Sequence, residues 1–117
     1  MPFEELIREL DARRQRALAM GGERKLAERR AQGLLNARER VDRLFDAGTF
    51  IESGLYAASS RPEDRAFTPA DGKVAGCGRV AGREVAVVSN DFTVKGASSA
   101  QINIKKLKHM KGVARRR

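Results

Sequence analysis

Cysteine, tryptophan and long apolar runs are scarce in this chain, and each scarcity excludes something. One cysteine, Cys77, among 117 residues cannot form an internal disulfide, and no His or second Cys stands beside it to share a metal. A reducing, cytoplasmic setting is expected. Between Gly76 and Gly78, in an expected strand, Cys77 reads as a small buried thiol rather than a reactive one. Apolar runs stop after four or five residues, far short of the ~18 that a membrane span needs. Near the start, Glu4, Glu5, Glu9 and Asp11 interrupt Phe3, Leu6, Ile7 and Leu10. That pattern contains no secretory signal core, and early acids argue against a transit peptide.

Acid is missing altogether from residues 95–117, which hold 8 Lys/Arg. Residues 1–48 are nearly balanced at net +2 and residues 49–94 at −1, so almost all of the chain's +9 sits in that last stretch. Such asymmetry suits a nucleic-acid arm, a phosphate-bearing ligand or an acidic partner surface. Lys105 to Arg117 contains no aromatic to stack a base and no known nucleic-acid reading motif. Nucleic acid is therefore disfavoured against a solvated basic helix face.

What is present reads as helices followed by a hairpin. Residues 3–19 place Phe3, Leu6, Ile7, Leu10, Ala17 and Leu18 at helical spacing, with Pro2 at the start and Met20-Gly21-Gly22 at the end. A charged helix over about 23–32 carries Leu26 as its one large apolar side chain and stops at Gly33. Asn36-Ala37-Arg38-Glu39 has capping-box spacing and opens a third helix with Val41, Leu44 and Phe45 on one face, closed by Asp46-Ala47-Gly48. Thr49 to Glu52 is a short expected strand. Residues 53–71 form an irregular connection broken by Pro62 and Pro69. Lys73–Val80 and Arg83–Ser89 pair across Ala81-Gly82 as a hairpin. The near-continuous apolar run of its second strand predicts cover on both faces. A final helix, 100–117, turns Ile104, Leu107, Met110 and Ala114 one way and Lys105, Lys106, Lys108 and Lys111 largely the other. The organisation expected is a helical arm over 1–48, a strand and connection over 49–71, and an α/β unit over 72–117. So few apolar side chains make a poor independent core. The chain is expected to be the opening portion of a larger α/β structure.

Between the apolar strand and the final helix lies Asn90-Asp91-Phe92-Thr93-Val94-Lys95-Gly96-Ala97-Ser98-Ser99. A buried strand that breaks into a small-residue loop before a helix presents backbone N–H groups to an anion, and Lys95 adds a mobile charge. The competing expectation is a plain connection whose serine caps the helix. His109 has no acid or nucleophile beside it and is expected to be an exposed helix residue.

Several segments resemble, in order and spacing, the carboxyltransferase subunits of biotin-dependent acyl-CoA carboxylases. They are Gly21-Gly22-Glu23-Arg24-Lys25, the run Asn36 to Glu52 containing Arg38-Glu39-Arg40, Leu44, Asp46, Gly48 and Thr49-Phe50, the run Ala70 to Arg83, and Asn90 to Gly96. The resemblance covers about four-fifths of the chain. It implies part of a crotonase-like fold in which acyl-CoA sits in one protomer and carboxybiotin approaches from another. The implied reaction moves a carboxyl group from biotin to an enolisable acyl-CoA carbon. The oxyanion-stabilising N–H pairs of that chemistry come, in that family, from glycine-rich segments that this sequence lacks. The resemblance therefore implies binding residues and no catalytic ones: Lys95 as a charge partner for coenzyme phosphate, with backbone groups of Gly96, Ala97 and Ser98 beside it, and no metal. Implied partners are the remainder of the subunit, a biotin carboxylase or biotin carrier protein, and further copies in a homo-oligomer, with no membrane. The wording Thr93-Val94-Lys95-Gly96 is closer to the methylcrotonyl- or geranyl-CoA branch than to the propionyl-CoA branch. Ala97 replaces a usual second glycine, Leu34 a common lysine, and Asn36 a Ser/Thr cap. A non-catalytic module that docks to a full-length carboxyltransferase is the alternative expectation.

Overall fold

Asn36 caps a helix as its spacing asks. In the computed structural model, which describes residues 2–95 and 101–116, its side chain accepts from Glu39 N at 2.9 Å while Asn36 N donates to Glu39 Oε1 at 3.1 Å. This reciprocal box starts helix α3 (Ala37–Leu44), which follows α1 (Pro2–Leu18) and α2 (Glu23–Ala31). Three antiparallel strands come next: β1 (Ile51–Ser53), β2 (Lys73–Val80) and β3 (Arg83–Asn90), with β2 in the middle. Two 3-10 turns, Pro62–Phe67 and Pro69–Gly72, occupy the connection that the prolines marked. Helix α4 spans Gln101–Arg116.

The core forms where α3 lies on the sheet. Val41, Phe45, Ala37, Met20 and Val74 are buried together, with Phe50, Val80, Val85, Val87 and Leu26 packed around them. Two glycines of β2 make this packing possible. A Cβ at Gly76 would stand 2.2 Å from Ile51 O and 2.8 Å from the Phe50 ring, and one at Gly78 would stand 2.5 Å from Phe45 Cδ1. The Phe45 and Phe50 rings, 5.2 Å apart at their centroids, therefore rest on bare backbone. Across the hairpin turn, Ala81 and Gly82 both have positive φ (50° and 79°), and both N–H groups donate to the Asp46 carboxylate at 3.0 Å. Asp46 N in turn donates to Arg79 O at 2.7 Å. The Asp-x-Gly element after α3 is thus a clamp on the hairpin. Arg38 and Glu52 join α3 to β1 through two bonds of 2.6 and 3.1 Å, both side chains largely buried.

Three expectations need correction. The first strand lies at Ile51–Ser53, starting two residues and ending one residue later than the expected Thr49–Glu52, because its pairing with Ala75–Cys77 is set by the bare backbone at Gly76. The strand covered most fully is β2, not β3: residues Lys73 to Gly76 are buried, whereas β3 is half-buried only over Val85–Ser89 and exposed at both ends. Glycine dilution disguised β2, since a central strand without side chains can be closely covered by its neighbours. Lys106 is also not on a solvated face. It is 8 % exposed, while Ile104 and Ala114 from the expected apolar face are exposed.

Candidate functional site

The segment after β3 begins as a pinned turn. Asp91 Oδ1 accepts from Thr93 N at 2.9 Å and from Thr93 Oγ1 at 2.5 Å, and Asp91 N donates to Gly72 O at 2.8 Å. Thr93 Oγ1 accepts from Gly21 N at 2.9 Å, and Lys25 Nζ donates to Thr93 O at 3.3 Å. No side chain fits at Gly21, where a Cβ would lie 2.0 Å from Thr93 O. Arg29 lies over the Phe92 ring, 5.7 Å from its centroid. The Gly-Gly-Glu-Arg-Lys element and the Asp-Phe-Thr-Val element are therefore two halves of one joint. Asp91, Thr93 and Val94 are buried in it.

Lys95 leaves this joint with a left-handed backbone, φ 47°, which directs its side chain toward the first 3-10 turn. Its Nζ lies 2.7 Å from Asp64 Oδ2, with the lysine side chain 48 % exposed and the aspartate 17 %. Arg61 Nε is 3.7 Å from the same oxygen and also holds Glu63 at 3.0 Å. The hydrogen bond from Lys95 keeps the Asp64 carboxyl below the ordinary aspartate range. Lys95 is thus a half-exposed cation following a pinned turn, with a carboxylate already in hand. Gly96, Ala97 and Ser98 lie outside the described residues. Asp64 was not read as a site residue, and its place before Arg65 in a charged run offers no sequence signal.

Lys106 was missed as well. Its Nζ donates to Ala70 O and, at 2.8 Å, to Lys73 O. Burial pushes its ammonium down to about 8 from 10.5, with Glu52 and Asp71 opposing that shift and Arg38 and Lys73 adding to it. Ala70, Asp71 and Gly72 all have positive φ, so this lysine ties α4 to an uncommon left-handed turn. Gly54 leaves room for its stem, since a Cβ there would lie 2.6 Å from Lys106 Cε. His109 is exposed. Among the described residues no cluster of three or more His, Cys, Asp or Glu could hold a metal, and no helix is long and apolar enough to cross a membrane.

Residues 28–116 match the family model described as the carboxyl transferase domain. The chain belongs to that family. A propionyl-CoA carboxylase carboxyltransferase subunit from Haloferax mediterranei is 36% identical over 110 residues, covering 92% of this chain and 21% of the relative. The methylmalonyl-CoA carboxyltransferase 12S subunit of Propionibacterium freudenreichii is 38% identical over 102 residues, covering 85% of this chain and 20% of the relative. The crystal structure of transcarboxylase 12S, a hexamer with methylmalonyl-coenzyme A bound, superposes with a TM-score of 0.88 at 36% identity, over 95% of this chain and 22% of that one. A single-chain, multi-domain long-chain acyl-CoA carboxylase superposes with a TM-score of 0.84. The family's crotonase-like fold is therefore the frame of these helices and strands, and only a small part of it is present. The chain spans about a fifth of the relatives' length.

The motifs that carried the family resemblance turn out to be joints. Asp46 clamps the hairpin, Arg38 ties α3 to β1, Gly76 and Gly78 seat the phenylalanines, and Gly21 seats Thr93. The half-exposed Lys95 ammonium is chemically able to complement an anion such as a phosphate.

Proposed function

We propose that this chain is part of an acyl-CoA carboxyltransferase subunit of a biotin-dependent carboxylase and that its share of the work is to grip the coenzyme. The observation that carries the reading is Lys95, set on the pinned Asp91–Val94 turn and half-exposed in a chain with the carboxyl transferase pattern. Carboxybiotin, carried on a partner protein or domain, would supply the carboxyl group, and an enolisable acyl-CoA carbon would receive it. Lys95 holds a coenzyme phosphate, and Gly96, Ala97 and Ser98, outside the described residues, are proposed to contribute their backbone groups to the same grip. No residue of this chain is assigned a catalytic role. The remainder of a subunit, a biotin carboxylase or biotin carrier, and further copies in a homo-oligomer complete the assembly. The lone Cys77 favours a reducing compartment such as the cytoplasm. The names of these relatives point to propionyl- and methylmalonyl-CoA, whereas the lysine at 95 leans toward the methylcrotonyl- or geranyl-CoA branch.

Reconstitution tests the reading. The chain is mixed with a polypeptide carrying the other four fifths of a relative such as the 12S subunit, and carboxyl transfer from carboxybiotin is followed for several acyl-CoA substrates. Turnover that requires both pieces supports the reading. A mixture that assembles and turns over none of them overturns it.

A further inference from the structure

Resting on that assignment of Lys95, we infer that Asp64 is a built-in competitor for the coenzyme, occupying the Lys95 ammonium until a phosphate displaces it. Three observations lead there. The Lys95–Asp64 contact at 2.7 Å joins residues 31 positions apart and is the contact through which the Lys95 side chain meets the first 3-10 turn. The partners are unequal: Asp64 is 17 % exposed and anchored, its backbone carbonyl accepting from Thr68 Oγ1 at 2.9 Å, whereas Lys95 is 48 % exposed on a long flexible stem. A long side chain leaves such a pair more readily than a short one. The third observation is a replacement cation. Arg61 Nε already stands 3.7 Å from Asp64 Oδ2 while its guanidinium is engaged by Glu63 at 2.9 Å. When Lys95 swings to a phosphate, Arg61 closes on Asp64, and no carboxylate is left bare beside the incoming anion.

Exposed ion pairs are weak, so the competitor lowers affinity for the phosphate modestly without blocking the site. A compound without phosphate leaves the Asp64 bond in place, whereas a dianionic phosphate displaces it. Asp64 therefore tempers the grip on the coenzyme tail. It acts through Lys95 and touches no reacting atom.

Titration of the full chain with coenzyme A and with pantetheine, which lacks phosphate, tests this. Three variants are compared with the natural chain by calorimetry: Asp64→Asn, Lys95→Ala and the two combined. Asp64→Asn is expected to tighten coenzyme A by up to about fivefold, the range set by an exposed pair, and to leave pantetheine unchanged. Lys95→Ala weakens coenzyme A, and most of the gain from Asp64→Asn disappears in the double variant. If Lys95→Ala is weakened but Asp64→Asn binds no better, or binds worse, Asp64 positions Lys95 rather than competing for it and this inference falls alone. If Lys95→Ala leaves coenzyme A binding unchanged, or if no chain binds it, the coenzyme assignment of Lys95 falls and takes the inference with it.

Discussion

Lys106 carries a proton where a lysine holds it poorly. Its amine is nearly enclosed and has two carbonyl acceptors, Ala70 O and Lys73 O, which the two N–H bonds of a neutral amine can satisfy. The folded chain lowers its titration to about 8 from 10.5, chiefly because burial disfavours the charged form. Below about pH 8 both folded and unfolded chains hold the proton. Between pH 8 and 10.5 only the unfolded chain does, so stability rises with pH across that window. The expected gain is a few kcal/mol at most, and Lys106→Met should flatten it. Urea midpoints at pH 7, 8.5 and 10 for both proteins would check this, and a natural chain that weakens steadily over the range would contradict it. Asp64 behaves in the opposite sense. Its carboxyl is lowered by the bond from Lys95, so that bond is in place above the ordinary aspartate value of 3.8 and is lost only as pH falls through the lowered one. The nitrogen signal of Lys95 should report the loss in an acid titration, and Asp64→Asn should abolish the step.

Elements show how much of this molecule was legible. Helix α3 was, because Asn36 and Glu39 make a cap that needs only four consecutive residues. The hairpin was, because Ala81-Gly82 separates two strand-like runs. The position of β1 was not, since its register depends on where Phe50 and the Ile51 carbonyl meet a glycine some two dozen residues away. Lys106 was hidden for a related reason: within Lys105-Lys106-Leu107-Lys108 nothing local marks which lysine turns inward, and the choice is made by carbonyls of another element. At the site the same divide holds. Lys95 was readable from its loop, but Asp64 belongs to the long connection and meets Lys95 only through the fold. The β2 glycines yield the element-scale prediction. Gly78→Ala drives a methyl to 2.5 Å from the buried Phe45 ring, an overpacking that should cost about 1–3 kcal/mol. At Gly82, where a Cβ meets nothing within 4 Å, alanine should cost about 1 kcal/mol through its positive φ alone. Denaturant unfolding of the two variants gives the ranking, and a larger loss at Gly82 would refute the seat assigned to Gly78.

At the scale of the whole molecule, α1 departs from the rest. Phe3, Leu6, Ile7 and Leu10 are 70%, 59%, 58% and 52% exposed, and Ala17 is the buried residue of the helix. The Cα radius of gyration is 14.9 Å, against about 13 Å for a compact chain of this length. Residues 2–10 therefore add apolar surface without adding to the core that Val41, Phe45 and Val74 share. Burial, not helix content, decides stability here. Deleting residues 2–10 is expected to move Tm by less than about 3 °C, whereas Phe45→Ala, which empties a core site, should lower it by roughly 10 °C or more. The deletion should also reduce concentration-dependent association in sedimentation velocity, because an exposed apolar stripe of that width invites contact. A deletion of residues 2–10 that unfolds the chain would show that the exposed first turns of α1 hold Ala17 and the following Met20 in the core.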